Sequence, residues 1–408
     1  MRIDWFSPLP PLKSGIGEYS VQLLPFVAEE AEVTVVSESP GMFKKLQTPP
    51  GIGWITPEKW KARPQGDAVP IYHLGNNAYH RYCYEAAMKR PGVSVFHDIV
   101  MHHMLADVLV ENPGPRKHWD IYERILRGEY GEDGTRLAGL RQRGIASDFE
   151  KFMFPLFAHV AKRSRVIVTH SDEMRDRIAW EVPDVPIHVI PHFAPPRPDE
   201  LKTMTKESAR RVLNLPQGAP IVGFLGYVTT PKQPEAVIEG FAQLSRERPD
   251  AKLVLVGRDH TGGRLARWTD RPELKGKIRL TGFVDLIEFY RYLLACDVVV
   301  NLRYPTVVES SGTNARALAE GRPLVVSNVG AFAELPDDAC CKVEIDENQG
   351  EAVGKHLVRL FSDDAFRESI VAKGLEYAEA NLDSRTIGHA FVDAARQAAA
   401  LSVPSKTA

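Results

Sequence analysis

Cysteine is scarce in this 408-residue chain, and its four copies, Cys83, Cys296, Cys340 and Cys341, fall at no spacing typical of a disulfide framework or a zinc site. They read as reduced core fillers. Neither sign of charge is in excess: 51 Lys and Arg stand against 53 Asp and Glu, a net of −2. That balance excludes a global field able to recruit nucleic acid or acidic lipid, so any anionic ligand must be gripped locally. No apolar run reaches the roughly 18 residues of a membrane span, and the opening Arg2-Ile3-Asp4-Trp5-Phe6 lacks the layout of a secretory signal. A cytoplasmic protein without a transmembrane segment is expected.

What is present is a long alternation of short β-branched runs with helical patterns, the mark of βαβ units stacked into parallel sheets. The fold class is α/β. Strands are predicted over residues 3–6, 33–37, 71–74, 94–97, 166–169 and 188–190, and a second series follows over 221–225, 253–256, 278–280, 298–302, 324–327 and 342–345. Helices are predicted at 18–28, 78–88, 172–180, 235–244, 286–295 and 314–320. A polar helical insertion covers 119–130, 134–143 and 149–162. The proline-rich stretch from Pro191 to Pro198 reads as a linker, and residues 384–401 form one further amphipathic helix. The expected domains are 1–195, 196–382 and a C-terminal helix in 383–408 that packs back on the first.

In open α/β sheets ligands bind beyond the strands' carboxyl ends, so the loops there carry the chemistry. Most informative is Arg303-Tyr304-Pro305-Thr306-Val307-Val308-Glu309-Ser310-Ser311-Gly312-Thr313-Asn314-Ala315-Arg316, which joins a buried strand to a helix through small residues. A helix opening there points free N–H groups and its positive dipole end past the sheet, a seat for phosphate. The loop Gly226-Tyr227-Val228-Thr229-Thr230-Pro231-Lys232 offers Lys232 as a point charge in the same sheet. In the first half, Gly15 and Gly17 follow the first strand; they permit close backbone approach to a ligand, or simply make a tight turn. His97 and Asp98 at a strand end suit hydroxyl recognition, and Asn76 and Asn77 after Gly75 do likewise or form a plain turn. The run His97, His102, His103 lacks metal-site spacing, so no metal is assigned.

Taken together, the SPLPP-x2-SGIGEYS loop, GYVTTPK, Thr281-Gly282-Phe283-Val284 and RYPTVVESSGTNARALAEGRP resemble bacterial retaining glycosyltransferases of family 4, which have the GT-B fold. The resemblance implies two Rossmann-like domains facing across a cleft. It also implies a metal-independent transfer from a nucleoside-diphosphate sugar, of UDP or GDP type, with no cofactor. Carried onto this sequence it makes Gly15, Ile16, Gly17, Tyr227, Lys232, Val284, Arg303, Glu309, Ser310, Ser311, Gly312, Thr313 and Arg316 donor-binding. His97, Glu309 and Lys232 would be catalytic, and Glu18, Tyr19, Asn76, Asp98 and His102 acceptor-binding. The acceptor, a polysaccharide, a lipid-linked compound or a small metabolite, stays open, as does the oligomeric state.

Two residues depart from the family pattern of two glutamates separated by seven residues. Counting back from Gly321, Arg316 stands where the ribose-binding Glu belongs and Val308 where the first belongs, so Glu309 serves only with a one-residue slip. Tyr227 replaces the usual loop arginine, and Arg303 or Arg316 is expected to supply its charge. Two competing readings are a sugar-nucleotide epimerase on the same fold and a non-catalytic scaffold with a decayed donor site.

Overall fold

The computed structural model describes residues 1–12, 14–38, 52–64, 66–113 and 117–401. They form two compact units: Met1–Pro191 with Val307–Ser310 and the segment from Ser384, and His192–Thr306 with Ser311–Asp383.

The first unit is built on strands β1 (Arg2–Phe6), β2 (Glu32–Val36), β3 (Ile52–Ile55), β4 (Val69–Leu74), β5 (Val93–Phe96), β6 (Val166–Thr169) and β7 (Ile187–Val189). They lie in the order β3-β2-β1-β4-β5-β6-β7, and every pairing is parallel. Parallel strands covered on both faces must be apolar or internally satisfied along their whole length. Accordingly β4, β5 and β6 are buried at every position. The second unit repeats the plan with β8 (Ile221–Leu225), β9 (Lys252–Val256), β10 (Ile278–Leu280), β11 (Val298–Asn301), β12 (Leu324–Ser327) and β13 (Cys341–Val343). Their order is β10-β9-β8-β11-β12-β13, again all parallel. In each sheet the winding reverses, between β1 and β4 and between β8 and β11. At such a switch point the loops leaving the carboxyl ends diverge and open a crevice.

The C-terminal helix Ser384–Ala400 lies against the helix Gly15–Val27 and against β4, β5 and β6. Its Phe391 ring sits 5.5 Å from Trp5, 6.4 Å from Tyr19 and 6.0 Å from His73. All four cysteines are buried free thiols. Burial pushes Cys296 and Cys340 up to about 12 and Cys341 to about 11, which makes them unreactive core atoms. No helix among the described residues is long and apolar enough to cross a membrane.

Several elements differ from the sequence reading, the unpredicted helices Gln349–Ser362 and Asp364–Asn381 among them, and two of the differences have plain causes. Strand β3 was not predicted, because Gly53 interrupts its short apolar run and only an edge position, half buried, is asked of it. The helix predicted over 149–162 is two pieces, Phe149–Met153 and Ala158–Ala161. Pro155 removes a backbone donor, and Leu156 adopts a left-handed φ of 56°.

Candidate active site

In the first unit the loop after β1 delivers Gly15 to the start of the helix Gly15–Val27. Gly15 is exposed, and a Cβ there would meet nothing within 4 Å, so this position leaves room for a ligand. Gly17 is different: its Cβ would stand 2.8 Å from the Pro8 carbonyl oxygen, so the glycine serves close packing of the loop on its helix. The half-buried Ile16 leans toward Gly75, where a Cβ would meet its Cδ1 at 2.6 Å. Glu18, one residue on, is half buried in the helix's first turn. Tyr19 is 3% exposed and its ring lies 5.0 Å from His97 and 5.5 Å from His170. Its ring is thus packed inside the first unit beside the histidines.

Adjacent strands bring three histidines into one chain. His170 Nδ1 lies 2.8 Å from the Ile190 carbonyl oxygen, which can only accept, so the proton resides on that nitrogen. His170 Nε2, left with a lone pair, accepts from His97 Nδ1 at 3.1 Å. His97 Nε2 in turn accepts from His73 Nδ1 at 2.8 Å. One backbone carbonyl thus sets three tautomers. Burial, then repulsion from neighbouring histidines, holds His73 well below the ordinary histidine range, and burial holds His170 down at about 4. His73 and His170 are thereby kept neutral. Both ring nitrogens of His97 are engaged within this chain. His102 likewise has both nitrogens engaged, Nδ1 on the Phe154 carbonyl at 2.6 Å and Nε2 on the Tyr122 hydroxyl, wholly inside the core.

His73 and His170 were missed in the sequence. The signal was available in the register: Val95 pairs with Val168, so the residues two positions on, His97 and His170, come level at the ends of β5 and β6.

Asp98 comes next, 7% exposed, with Oδ1 bonded to nothing. Burial first and the charge of Glu309 second raise its pKa well above the carboxylate range, while the Asn76 backbone N–H opposes the shift. The shift favours its protonated form, which can donate as well as accept. Asn76 thus acts through its backbone, and Asn77 through a side chain that accepts from the Tyr79 N–H. Glu309 is fixed by the Val307 N–H at 2.9 Å, and the Val307 carbonyl accepts from Ile99. Between them Val308, fully buried, holds a φ of 60°, a strained conformation for a β-branched residue. Ser310 follows, half buried.

In the second unit the loop after β8 turns at Gly226, whose φ is 94° and whose absent side chain leaves space for Lys232 Nζ. That ammonium donates to the Leu225 carbonyl at 3.1 Å, which holds it at the carboxyl end of the strand. Gln233 Nε2 to the Tyr304 carbonyl and the Tyr304 N–H to the Pro231 carbonyl, both 2.7 Å, tie this loop to the one leaving β11. Lys232 and Arg303 are thereby brought to neighbouring strand ends. The Arg303 N–H donates to Ser327 Oγ at 2.9 Å, and its guanidinium lies 5.7 Å from the Phe332 ring. Ser311 caps the helix Gly312–Ala319, accepting from the Asn314 N–H and from buried Asn301. Arg316 folds back along that first turn, donating to the Gly312 carbonyl at 2.9 Å. Thr313 is half buried beside it. Tyr227 is 36% exposed against His260, and Val284 packs on the core below the 52%-exposed Phe283.

A family model described as "Glycosyl transferases group 1" matches residues 205–376. The matched segment holds Tyr227, Lys232, Val284 and the whole run from Arg303 to Arg316. The chain is 25% identical over 270 residues to a D-inositol 3-phosphate glycosyltransferase of Nocardioides, covering 63% of this chain and 55% of that protein. It is 24% identical over 216 residues to the alpha-D-kanosaminyltransferase of Streptomyces kanamyceticus, covering 52% and 54%. The chain thus spans little more than half the length of these curated relatives. Its fold matches the sucrose-phosphate synthase of Thermosynechococcus elongatus with a TM-score of 0.70 at 17% identity, over 98% of this chain and 100% of that one. It matches Anabaena HepE, solved in complex with UDP, with a TM-score of 0.64 at 16% identity, over 96% and 99%. Two Rossmann-like sheets in one chain of this kind are the GT-B fold.

Proposed function

We propose that this chain is a retaining glycosyltransferase that moves a sugar from a nucleoside-diphosphate sugar to an acceptor hydroxyl without a metal ion. The observation that carries the reading is the meeting of Lys232, Arg303, Arg316 and a capped helix N-terminus at the switch point between β8 and β11. A diphosphate of the UDP or GDP type is the group such an assembly suits. The names of the curated relatives, and the UDP bound by HepE, agree with it.

The chemistry follows from charge. As the bond between the sugar's anomeric carbon and the diphosphate oxygen breaks, negative charge grows on the leaving oxygen and positive charge on the sugar. Fixed donors around the phosphate lower that barrier. The acceptor oxygen attacks from the same face, and its proton passes to the departing phosphate oxygen. Arg316 takes the part of the absent family arginine, because it is anchored within the helix turn that offers the free N–H groups. Asp98, in the protonated form that burial favours, donates to a hydroxyl of the sugar or acceptor, and Glu309 accepts from another.

Calorimetry with UDP and GDP tests the reading, followed by transfer assays with their sugars on polysaccharide, lipid-linked and small-molecule acceptors. Binding of one diphosphate and transfer from its sugar are expected; a protein that binds neither nucleotide would overturn the proposal.

A further inference from the structure

At the opposite, amino end of the second unit's sheet lies a cavity of about 420 Å³, a size typical of small-ligand sites. Its floor is the start of three adjacent strands: Pro220 before β8, Asp297 before β11 and Pro323 before β12. Five cations line it, Lys206, Arg210, Arg248, Arg322 and Arg367, against two carboxylates, Asp297 and Asp364.

Much of this charge is built in. Arg210, 2% exposed, donates to the carbonyls of Ala295, Gln217 and Ala219 and to Asp297 at 2.6 Å. Asp297 also accepts from Lys206 at 2.9 Å and from the Ile221 N–H at 2.8 Å. Arg367 pairs with Asp364 at 2.6 Å, and Arg248 approaches Asp250, outside the cavity, at 3.4 Å. Even with Asp250 included, five cations face three carboxylates and two positive charges remain. Arg322 gives one N–H to the Cys296 carbonyl, while its Nε is buried with no hydrogen-bond partner among the described residues. A buried guanidinium nitrogen left in that state costs stability unless an anion completes it.

We infer that this cavity is a second anion site, built for a small phosphorylated compound carrying about two negative charges. It is distinct from the loops that hold Lys232 and Arg303, because β8 and β11, of five and four residues, run between the two ends. At about 3.3 Å per residue that is roughly 13–17 Å of strand. A hexose phosphate, about a dianion near neutral pH, and the more highly charged inorganic pyrophosphate share the required phosphate chemistry, and both fit the volume.

The test uses the full chain carrying Lys232→Ala, so that the strand-end loops contribute little. Inorganic pyrophosphate and glucose 6-phosphate are titrated by calorimetry at low ionic strength. The titrations are repeated with Arg248→Gln and Arg367→Gln added, two solvent-facing changes that break only local pairs. Binding of at least one probe in the first protein, weakened by about tenfold or more in the second, is expected. Equal affinity in both, or no binding of either probe at millimolar concentration, would overturn the site. Should the added changes lower the melting temperature without ligand, Lys206→Gln is measured alone against the same expectation. Of the two probes, the tighter binder identifies a compact diphosphate or a sugar phosphate as the occupant.

Discussion

Asp98 and Lys232 show how a single residue's environment sets what it can do. Asp98 is an acid whose folded pKa is raised, so its contribution is fully present below the unfolded value and is lost as pH rises toward the folded one. Asp98→Asn mimics the neutral form and should be the more stable protein at neutral pH. Its advantage over the parent should grow by up to about 1.4 kcal/mol per pH unit above the ordinary aspartate range. Urea melts between pH 4 and 8 check this, and parallel curves for the two proteins would show Asp98 to be ionised in the fold. Lys232 tests the donor end. Lys232→Ala should weaken nucleoside-diphosphate binding by at least about tenfold, a loss of roughly 1.4 kcal/mol. Its ammonium already leans on the Leu225 carbonyl, so the cost falls on the ligand contact and the fold should persist. Unchanged affinity by calorimetry would remove Lys232 from the site.

Elements are where sequence and structure agree best, and where their disagreements have plain causes. Runs such as Ile221–Leu225 and Val298–Asn301 are recognisable because burial on both faces demands uninterrupted apolar residues. Strand β3, at an edge with a glycine inside, carries no such demand and was not legible. The histidine chain was hidden for another reason: it exists only once β4, β5 and β6 lie side by side, and no local pattern encodes that register. Its neutral members give a measurable result. His170, and beside the chain His80, whose Nδ1 donates to the His73 carbonyl, are held at about 4 against an ordinary 6.5, so their stabilisation is present above 6.5 and drains away as pH falls toward 4. Stability should drop through that window, by up to about 1.4 kcal/mol per pH unit for each histidine, and His170→Gln should flatten the drop. An unchanged slope would mean that His170 is protonated in the fold. The C-terminal helix covers the same region. Phe391 is fully buried among Trp5, Tyr19 and His73, and Phe391→Ala should cost about 3–5 kcal/mol in urea denaturation. A loss under about 1 kcal/mol would mean that the helix is not integral to the first unit.

At the scale of the whole molecule, the doubled strand series was readable because each half repeats the same periodicity, and the loops after each first strand were readable because binding sites in such sheets follow topology. Residue roles were less so. His97, His102 and Tyr19 have the right chemistry at the right strand ends, yet their polar atoms or rings face inward, a matter of side-chain direction that spacing alone does not reveal. What remains at the strand ends of the second unit is positive charge on side chains and on a helix terminus, and this leads to the prediction about metal and stereochemistry. A diphosphate leaving group needs its growing charge neutralised, by a divalent ion or by fixed protein donors. Lys232, Arg303, Arg316 and the N–H groups of the helix Gly312–Ala319 are of the second kind. Transfer should therefore persist in excess EDTA, and the product should keep the donor's anomeric configuration. Glu309→Gln should then lower turnover more than it weakens binding of the bare nucleotide, since its proposed partner is the sugar and interactions strengthened in the transition state register in kcat. Strict dependence on manganese or magnesium, or an inverted anomer by NMR, would place the enzyme in a different mechanistic class.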